Sequence, residues 1–182
     1  MRKIQNKMKI KNTKFKELKI ISSKVHKDRR GYFRELFKKK MLAKEKFVFT
    51  CVSSSKKNVL RGLHLQTKFS QGKYLSVLKG EIFDVAVDLR KNSKTFGKYF
   101  SIKISDKSGI SIFIPPGFAH GFVGLKKENI LSYHCTNYRS SNSEIGIKWN
   151  DKDLKIKWPI KKPTLSNKDK KNISFKNFIL NA

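Results

Sequence analysis

The feature that most constrains this chain is a run of short β-branched and aromatic segments between residues 47 and 138, cut every few residues by Gly, Ser, Asn or Pro. They read FVFTCVSSS (47–55), LRGLHLQ (60–66), KYLSVLKG (73–80), EIFDVAVDLR (81–90), FGKYFSIKIS (96–105), ISIFIPP (110–116), GFVGLK (121–126) and ILSYHCTNY (130–138). No long segment with a 3.6-residue period separates them. Many short strands with frequent turn signals predict an all-β sandwich or barrel, and a jelly roll of two packed sheets is the natural closure.

The flanks are less regular. Residues 1–13 are polar and basic and are expected to be frayed or loosely docked. FKELKIISSKV (15–25) predicts a strand, the turn HKDRRG follows, and YFRELF (32–37) predicts a second strand by its alternation. Residues 38–46 read as a short helix or turn. The last forty residues, with Trp149, Trp158, Pro159 and Pro163, are expected to wrap the barrel and end in a short helical or extended tail. With 182 residues and no repeat or linker, the expectation is one domain over 1–182. Its core barrel spans about 15–160, a tail over about 161–182 packs on it, and a few short helices lie at the periphery.

Composition narrows the function classes. Hydrophobic residues make up only 38%, yet aromatics reach 12%, which a disordered chain lacks. Lysine and arginine number 43 against 13 acidic residues, a formal charge of +30. Such an excess invites a polyanion reading, but the charge is spread between hydrophobic segments along the whole chain instead of forming one arm. A lysine-rich surface is the simpler account, nucleic acid is not the expected partner, and positive charge also speeds encounter with an anionic small substrate. Two cysteines, Cys51 and Cys135, read as reduced thiols in a cytoplasmic protein. No apolar h-region follows Met1, and no apolar run is long enough to span a membrane.

Four histidines are available: His26, His64, His120 and His134. His26 lies in a charged turn and is expected to be merely solvated. Alternation puts His64 and Gln66 on one face of their strand and Leu63 and Leu65 on the other. His120 follows a Pro-Pro-Gly turn that presents it at a strand start. Ser132 and His134 must face away from Tyr133. A metal reading fails on ligand count: the position two after His64 is Gln66, and no H-x-H or C-x-x-C occurs. No G-x-S-x-G elbow marks a hydrolase. Periodicity alone leaves His64 open between a satisfied barrel histidine and a catalytic one.

Several segments, in order, carry a resemblance that changes this. They are DRRGYFRE (28–35), LRGLHLQ (60–66), QGK (71–73), GEIFDVAVDLR (80–90), SKTFG (93–97), IPPGFAHGF (114–122), YHCTNY (133–138), GIKWND (146–151), IKWP (156–159) and LSNKD (165–169). Over about residues 15–172 the chain resembles the dTDP-4-dehydrorhamnose 3,5-epimerase family of cupin-type barrels. The resemblance implies a metal-free, cofactor-free homodimer of jelly rolls that inverts C3 and C5 of a nucleotide-linked 4-keto-6-deoxyhexose. It implies His64 as general base with Asp169 as its carboxylate partner, Tyr133 as acid on the opposite face, and Lys73 as stabiliser of the enolate. Arg61 holds the diphosphate, Arg30 and Glu35 contact the nucleotide (across the dimer), and His120 lines the sugar pocket. Phe33, Tyr138 and Gln66 complete the implied substrate contacts.

These residue types suit the chemistry. A proton beside a ketone becomes acidic only if the enolate oxygen is stabilised, which a cationic donor does. Imidazole works as a base near neutral pH, and a carboxylate on its far nitrogen fixes the tautomer. Arginine binds phosphate oxygens with a two-point fork. Lys73 is expected to pair with Asp84 across adjacent strands. The chain departs from the family where a Q-x-N-x-S strand is usual and Phe49-Thr50-Cys51-Val52-Ser53 stands instead, and where Arg139 replaces a tyrosine and Ser141 a proline. Leu65 stands in place of an aromatic. The proton-transfer set is intact while part of the ligand wall has changed. A single-centre epimerase on another nucleotide-sugar, a barrel that only binds, and a polyanion-binding protein remain the alternatives.

Overall fold

A computed structural model describes residues 8–181. Thirteen strands dominate it: β1 (Lys9–Asn12), β2 (Lys19–Ser22), β3 (His26–Asp28), β4 (Gly31–Phe33), β5 (Phe49–Lys56), β6 (Leu60–Gln66), β7 (Lys73–Lys79), β8 (Glu81–Asp88), β9 (Tyr99–Ser105), β10 (Ile110–Ile114), β11 (Phe118–Gly124), β12 (Glu128–Cys135) and β13 (Glu144–Gly146). They form a six-stranded sheet in the order β1-β2-β10-β7-β12-β5, a five-stranded sheet in the order β13-β6-β11-β8-β9, and the small hairpin β3-β4. Every pairing within these sheets is antiparallel. The architecture is the expected all-β jelly roll, with two short helices, α1 (Asn167–Lys170) and α2 (Phe175–Asn181), at its periphery.

Strand alternation sorts the side chains into three layers. Leu75 and Val77 of β7, Ile112 and Ile114 of β10 and Leu131 of β12 meet Ile82 and Ala86 of β8 and Phe118 and Phe122 of β11 between the sheets. On the outer face of the five-stranded sheet, Leu63, Val85, Val87 and Ala119 are covered by Ile147, Leu154 and the helical Phe175 and Phe178. The outer face of the six-stranded sheet packs Ile21, Tyr74 and Phe113 against Met8 and Leu42. The irregular C-terminal segment therefore supplies a hydrophobic lid for one sheet, which is why it carries its aromatics despite lacking strands.

Several expectations need correction. Part of the basic N-terminus is structured: β1 pairs with β2 from Lys9↔Ser22 to Asn12↔Lys19, while residues 1–7 lie outside the described residues. The strand expected over 15–25 is only Lys19–Ser22. Thr13 Oγ1 donates to the carbonyls of Phe15 and Leu18, and Glu17 takes a left-handed φ of 71°, so the chain turns before it extends. The strand expected over 32–37 stops at Phe33 because Arg34 turns inward and donates to the Val77 carbonyl at 2.9 Å. The short helix or turn expected over 38–46 is present, as a 3₁₀ turn over Lys39–Leu42. His26 is not a turn residue; it pairs with Phe33 in β3-β4, with the rings 6.5 Å apart. His120 lies inside β11, not at its start.

Candidate active site

Between the two sheets a cavity of about 740 Å³ opens at one end of the barrel. Histidine, lysine and tyrosine side chains converge there because each occupies an inward position of its strand, and α1 adds a carboxylate. From β6 come Arg61, His64 and Gln66; from β7, Lys73; from β11, His120; from β12, Tyr133; and from the C-terminal segment, Asp169. Two glycines permit the close β6-β11 contact. Gly62 has φ of 122°, and a Cβ there would lie 2.5 Å from the Cα of Gly121. Only residues without side chains let the backbones approach this far. The pairing puts His120 directly opposite His64.

Two histidine–carboxylate pairs result. His64 Nε2 lies 2.5 Å from Asp169 Oδ1. Asp169 is almost fully buried and is held by Ser166: the Asp169 amide donates to Ser166 Oγ at 3.0 Å, and that hydroxyl lies 2.9 Å from Asp169 Oδ2. Ser166 is thus the N-cap of α1, and capping is what aims the carboxylate. Burial alone raises the Asp169 pKa, but the His64 and Ser166 contacts outweigh it and hold the carboxyl below its usual value. Beside this pair, His120 Nε2 lies 2.7 Å from Asp84 Oδ2, both residues being buried. Asp84 Oδ1 has no hydrogen-bond partner among the described residues.

The expected Lys73–Asp84 pair is replaced by this second dyad. β7 and β8 belong to different sheets, so the two residues are not on adjacent strands, and His120 on neighbouring β11 takes the carboxylate instead. Burial lowers the Lys73 pKa, opposed by the nearby Cys135, Glu144, Cys51 and Asp84. Tyr133 projects from the opposite sheet to His64. Its hydroxyl lies 3.2 Å from Ser53 Oγ, and burial pushes its pKa well above the usual phenol range, so it carries its proton. His134 and Ser132 face away from it as expected, and His134 stacks on Phe37 at 4.7 Å.

Arg61 donates to Ser55 Oγ at 2.9 Å and to the Ser54 carbonyl at 3.0 Å, which fixes its guanidinium at the cavity wall. Gln66 spends its amide on backbone: Nε2 donates to the carbonyls of Phe69 and Tyr138, and Oε1 accepts from the Ser140 amide. Tyr138 is exposed at the rim and stacks on the cavity-lining Phe49 at 5.9 Å. Arg30, Glu35 and Phe33 do not line this cavity. Arg30 binds Asp28 in the β3-β4 turn, Glu35 pairs with Lys38, and Phe33 is 62% exposed.

The cavity also holds groups that sequence reasoning missed. Glu144, at the start of β13, lines it and is bound by Lys168 Nζ at 2.5 Å and Arg139 Nε at 3.2 Å. Burial raises its pKa, but Lys168, His64 and Arg139 outweigh this and lower it. Its place in the polar SNSEIG stretch gave no periodic signal; only the pairing of β13 with β6, Gly146↔His64, brings it in. Ser53 was legible only as the last residue of the altered strand motif.

Comparison with known proteins follows the same line. A family model for dTDP-4-dehydrorhamnose 3,5-epimerase matches residues 12–177. The dTDP-4-dehydrorhamnose 3,5-epimerase of Methanothermobacter thermautotrophicus is 46% identical over 145 residues, 78% of each chain. That of Shigella flexneri is 42% identical over 168 residues, 89% of this chain and 93% of the relative. The crystal structure of a dTDP-6-deoxy-D-glucose-3,5-epimerase from Legionella pneumophila in complex with dTDP-4-keto-L-rhamnose superposes with a TM-score of 0.88 at 42% identity, covering 93% of this chain and 94% of that one. Paired histidines and carboxylates facing a half-buried tyrosine, on a fold shared along nearly the whole chain, place this chain in the dTDP-4-dehydrorhamnose 3,5-epimerase family.

Proposed function

We propose that this protein converts dTDP-4-dehydro-6-deoxy-D-glucose to dTDP-4-dehydro-L-rhamnose by inverting C3 and C5 through enolate intermediates. The observation that carries the reading is the His64–Asp169 contact at 2.5 Å on one wall of a cavity whose opposite wall holds Tyr133, its hydroxyl 3.2 Å from Ser53 Oγ. His64 takes the proton from the carbon beside the ketone. Asp169 holds the imidazole in the correct tautomer and balances the charge it gains. The enolate oxygen is stabilised by Lys73, assisted by the His120–Asp84 pair. Tyr133 returns a proton from the other face, which completes inversion, and its raised pKa suits a group that arrives protonated.

Arg61 binds the diphosphate with a guanidinium already oriented by Ser54 and Ser55. Tyr138 and Gln66 act at the rim, Tyr138 by contact with the nucleotide and Gln66 by bracing the loop that carries it. Arg30, Glu35 and Phe33 serve the active site of a partner subunit in a homodimer, which accounts for their position outside their own cavity. The chain acts as a single domain, and its free thiols and nucleotide-sugar substrate suit a cytoplasmic enzyme. The +30 charge assists encounter with the diphosphate.

Proton NMR in D2O with dTDP-4-keto-6-deoxyglucose tests the reading. Deuterium entry at both C3 and C5, lost in His64→Ala, is the expected result. Entry at one carbon makes the protein a single-centre epimerase, and no entry together with no binding of the nucleotide-sugar overturns the proposal.

A further inference from the structure

The chain's two cysteines, far apart in sequence, meet on one wall of the cavity. In the β5-β12 register Cys51 stands opposite Tyr133 and Cys135 opposite Phe49. The cysteines are therefore diagonal neighbours on the same inward face. Both line the cavity. Cys51 is exposed and Cys135 buried, so one thiol is open to small reagents while the other waits behind it. Among the described residues β5 is the edge strand of its sheet, with β12 as its one neighbour, and so can take up the small shift that a sulfur–sulfur bond needs.

We infer that Cys51 and Cys135 form an oxidisable dithiol in the cavity wall, which a peroxide converts to an intramolecular disulfide, and that this disulfide suppresses the activity of the site. In the first step the Cys51 sulfur attacks one oxygen of hydrogen peroxide; the S–O bond forms, the O–O bond breaks, and water leaves with the thiol proton. In the second, the Cys135 sulfur attacks the Cys51 sulfenic acid; the S–S bond forms and hydroxide departs, taking the Cys135 proton as water. The two thiols lose two electrons and two protons, and the peroxide becomes two waters. Burial, with Cys51 beside it, pushes the Cys135 thiol up to about 12, opposed by Lys73. Cys135 is therefore not the first to react, and this fits an order in which Cys51 is attacked and Cys135 resolves.

The effect on the site follows from the same strand. Ser53, two residues from Cys51 on the same face, is the hydroxyl partner of Tyr133 at 3.2 Å. Drawing Cys51 toward Cys135 moves β5 along β12 and displaces Ser53 from Tyr133. It also alters the wall near Lys73, for which both thiols are close electrostatic neighbours. This second half of the inference rests on the proposed epimerase activity; the thiol chemistry does not.

The test treats the intact protein with hydrogen peroxide and reads two things separately. Non-reducing peptide mapping is expected to find Cys51 linked to Cys135 within one chain, with an intact mass lower by two hydrogens. Epimerase turnover is expected to fall at least about tenfold and to return with dithiothreitol. Cys135→Ser, compared with its own untreated rate, is expected to stop at a Cys51 sulfenic acid trapped by dimedone, and Cys51→Ser to show neither link nor adduct. Two thiols that stay free, a link between chains, or oxidation of Cys135 in Cys51→Ser overturns the dithiol site whatever the activity. A disulfide that forms without loss of turnover overturns the suppression alone. A protein that forms the disulfide but never turned over the sugar retains the dithiol site, overturns the suppression and faults the epimerase reading.

Discussion

His64 Nε2 and Asp169 Oδ1 lie 2.5 Å apart although 105 positions separate the two residues. The contact depends on two short features: the glycine pair that lets β6 approach β11, and the serine cap that fixes Asp169 at the start of α1. Neither residue is fully solvated. The His64 side chain is 25% exposed, which leaves its free edge open to the cavity, while Asp169 is 4% exposed and has its other oxygen satisfied by Ser166.

Removing the carboxylate tests whether this pair acts as a unit. Asp169→Asn keeps the shape but offers an amide to Nε2, which supports the wrong tautomer. Turnover is expected to fall at least about 100-fold with little change in KM, the range for losing general-base assistance. Unchanged turnover in steady-state kinetics with the 4-keto sugar assigns Asp169 a structural role only.

Tyr133→Phe separates proton removal from proton return. His64 remains able to exchange the substrate proton on its own face. Deuterium is therefore expected to enter the substrate in D2O while inversion falls at least about 100-fold. Equal loss of exchange and inversion shows that Tyr133 is needed before the enolate forms.

Lys73→Met removes the cation proposed to face the enolate oxygen. A loss of about 100-fold in kcat is expected, corresponding to about 2.7 kcal/mol of transition-state stabilisation. The lowered pKa of Lys73 also sets a direction: as pH rises the ammonium is lost earlier than for a free lysine, so the alkaline fall of kcat comes below the ordinary lysine range. A pH–rate profile that is flat through that range, in a protein that stays folded, counts against the role.

Gly62→Ala tests the backbone contact that positions His64. An added Cβ meets the Cα of Gly121 at 2.5 Å and the His120 carbonyl oxygen at 2.7 Å, at a φ of 122° that side chains rarely adopt. Urea denaturation is expected to show destabilisation of about 3 kcal/mol. Stability within about 0.5 kcal/mol of the parent means that the strands part without cost.

Acid stability rests in part on Asp88, fully buried at the end of β8. It accepts from Arg90 Nε and Nη2, Ser93 Oγ and Thr95 Oγ1. Burial raises its pKa, but these donors outweigh it and bring the carboxyl down to about 2. The folded pKa is below the unfolded one, so the stabilisation is complete above about pH 4 and is lost as pH falls toward 2. Asp88→Asn is expected to cost about 2 kcal/mol at neutral pH and to flatten the acid limb of the stability curve. A variant with an unchanged limb assigns acid sensitivity to other carboxylates.

Much of the fold was legible because alternation and turn residues are local. The eight segments between 47 and 138 each became a strand, and the opposition of His64 to Leu63, or of Tyr133 to His134, needs only the period of two. The groups proposed as proton carriers were legible through the motifs around them: RGLH, the Tyr133 strand and LSNKD. What the sequence could not determine was which distant strands share a sheet. That is set by burial of both faces of each sheet at once, so Lys73 was paired with Asp84 although they lie on opposite sheets, and His120 took that carboxylate. Arg34 ended a well-patterned strand because a tertiary acceptor, the Val77 carbonyl, was within reach. Glu144 and the Cys51–Cys135 juxtaposition exist only through strand register, which no short window of sequence encodes. Local pattern determined the strands and the chemistry each carries; packing of the two sheets decided which of those groups face one another.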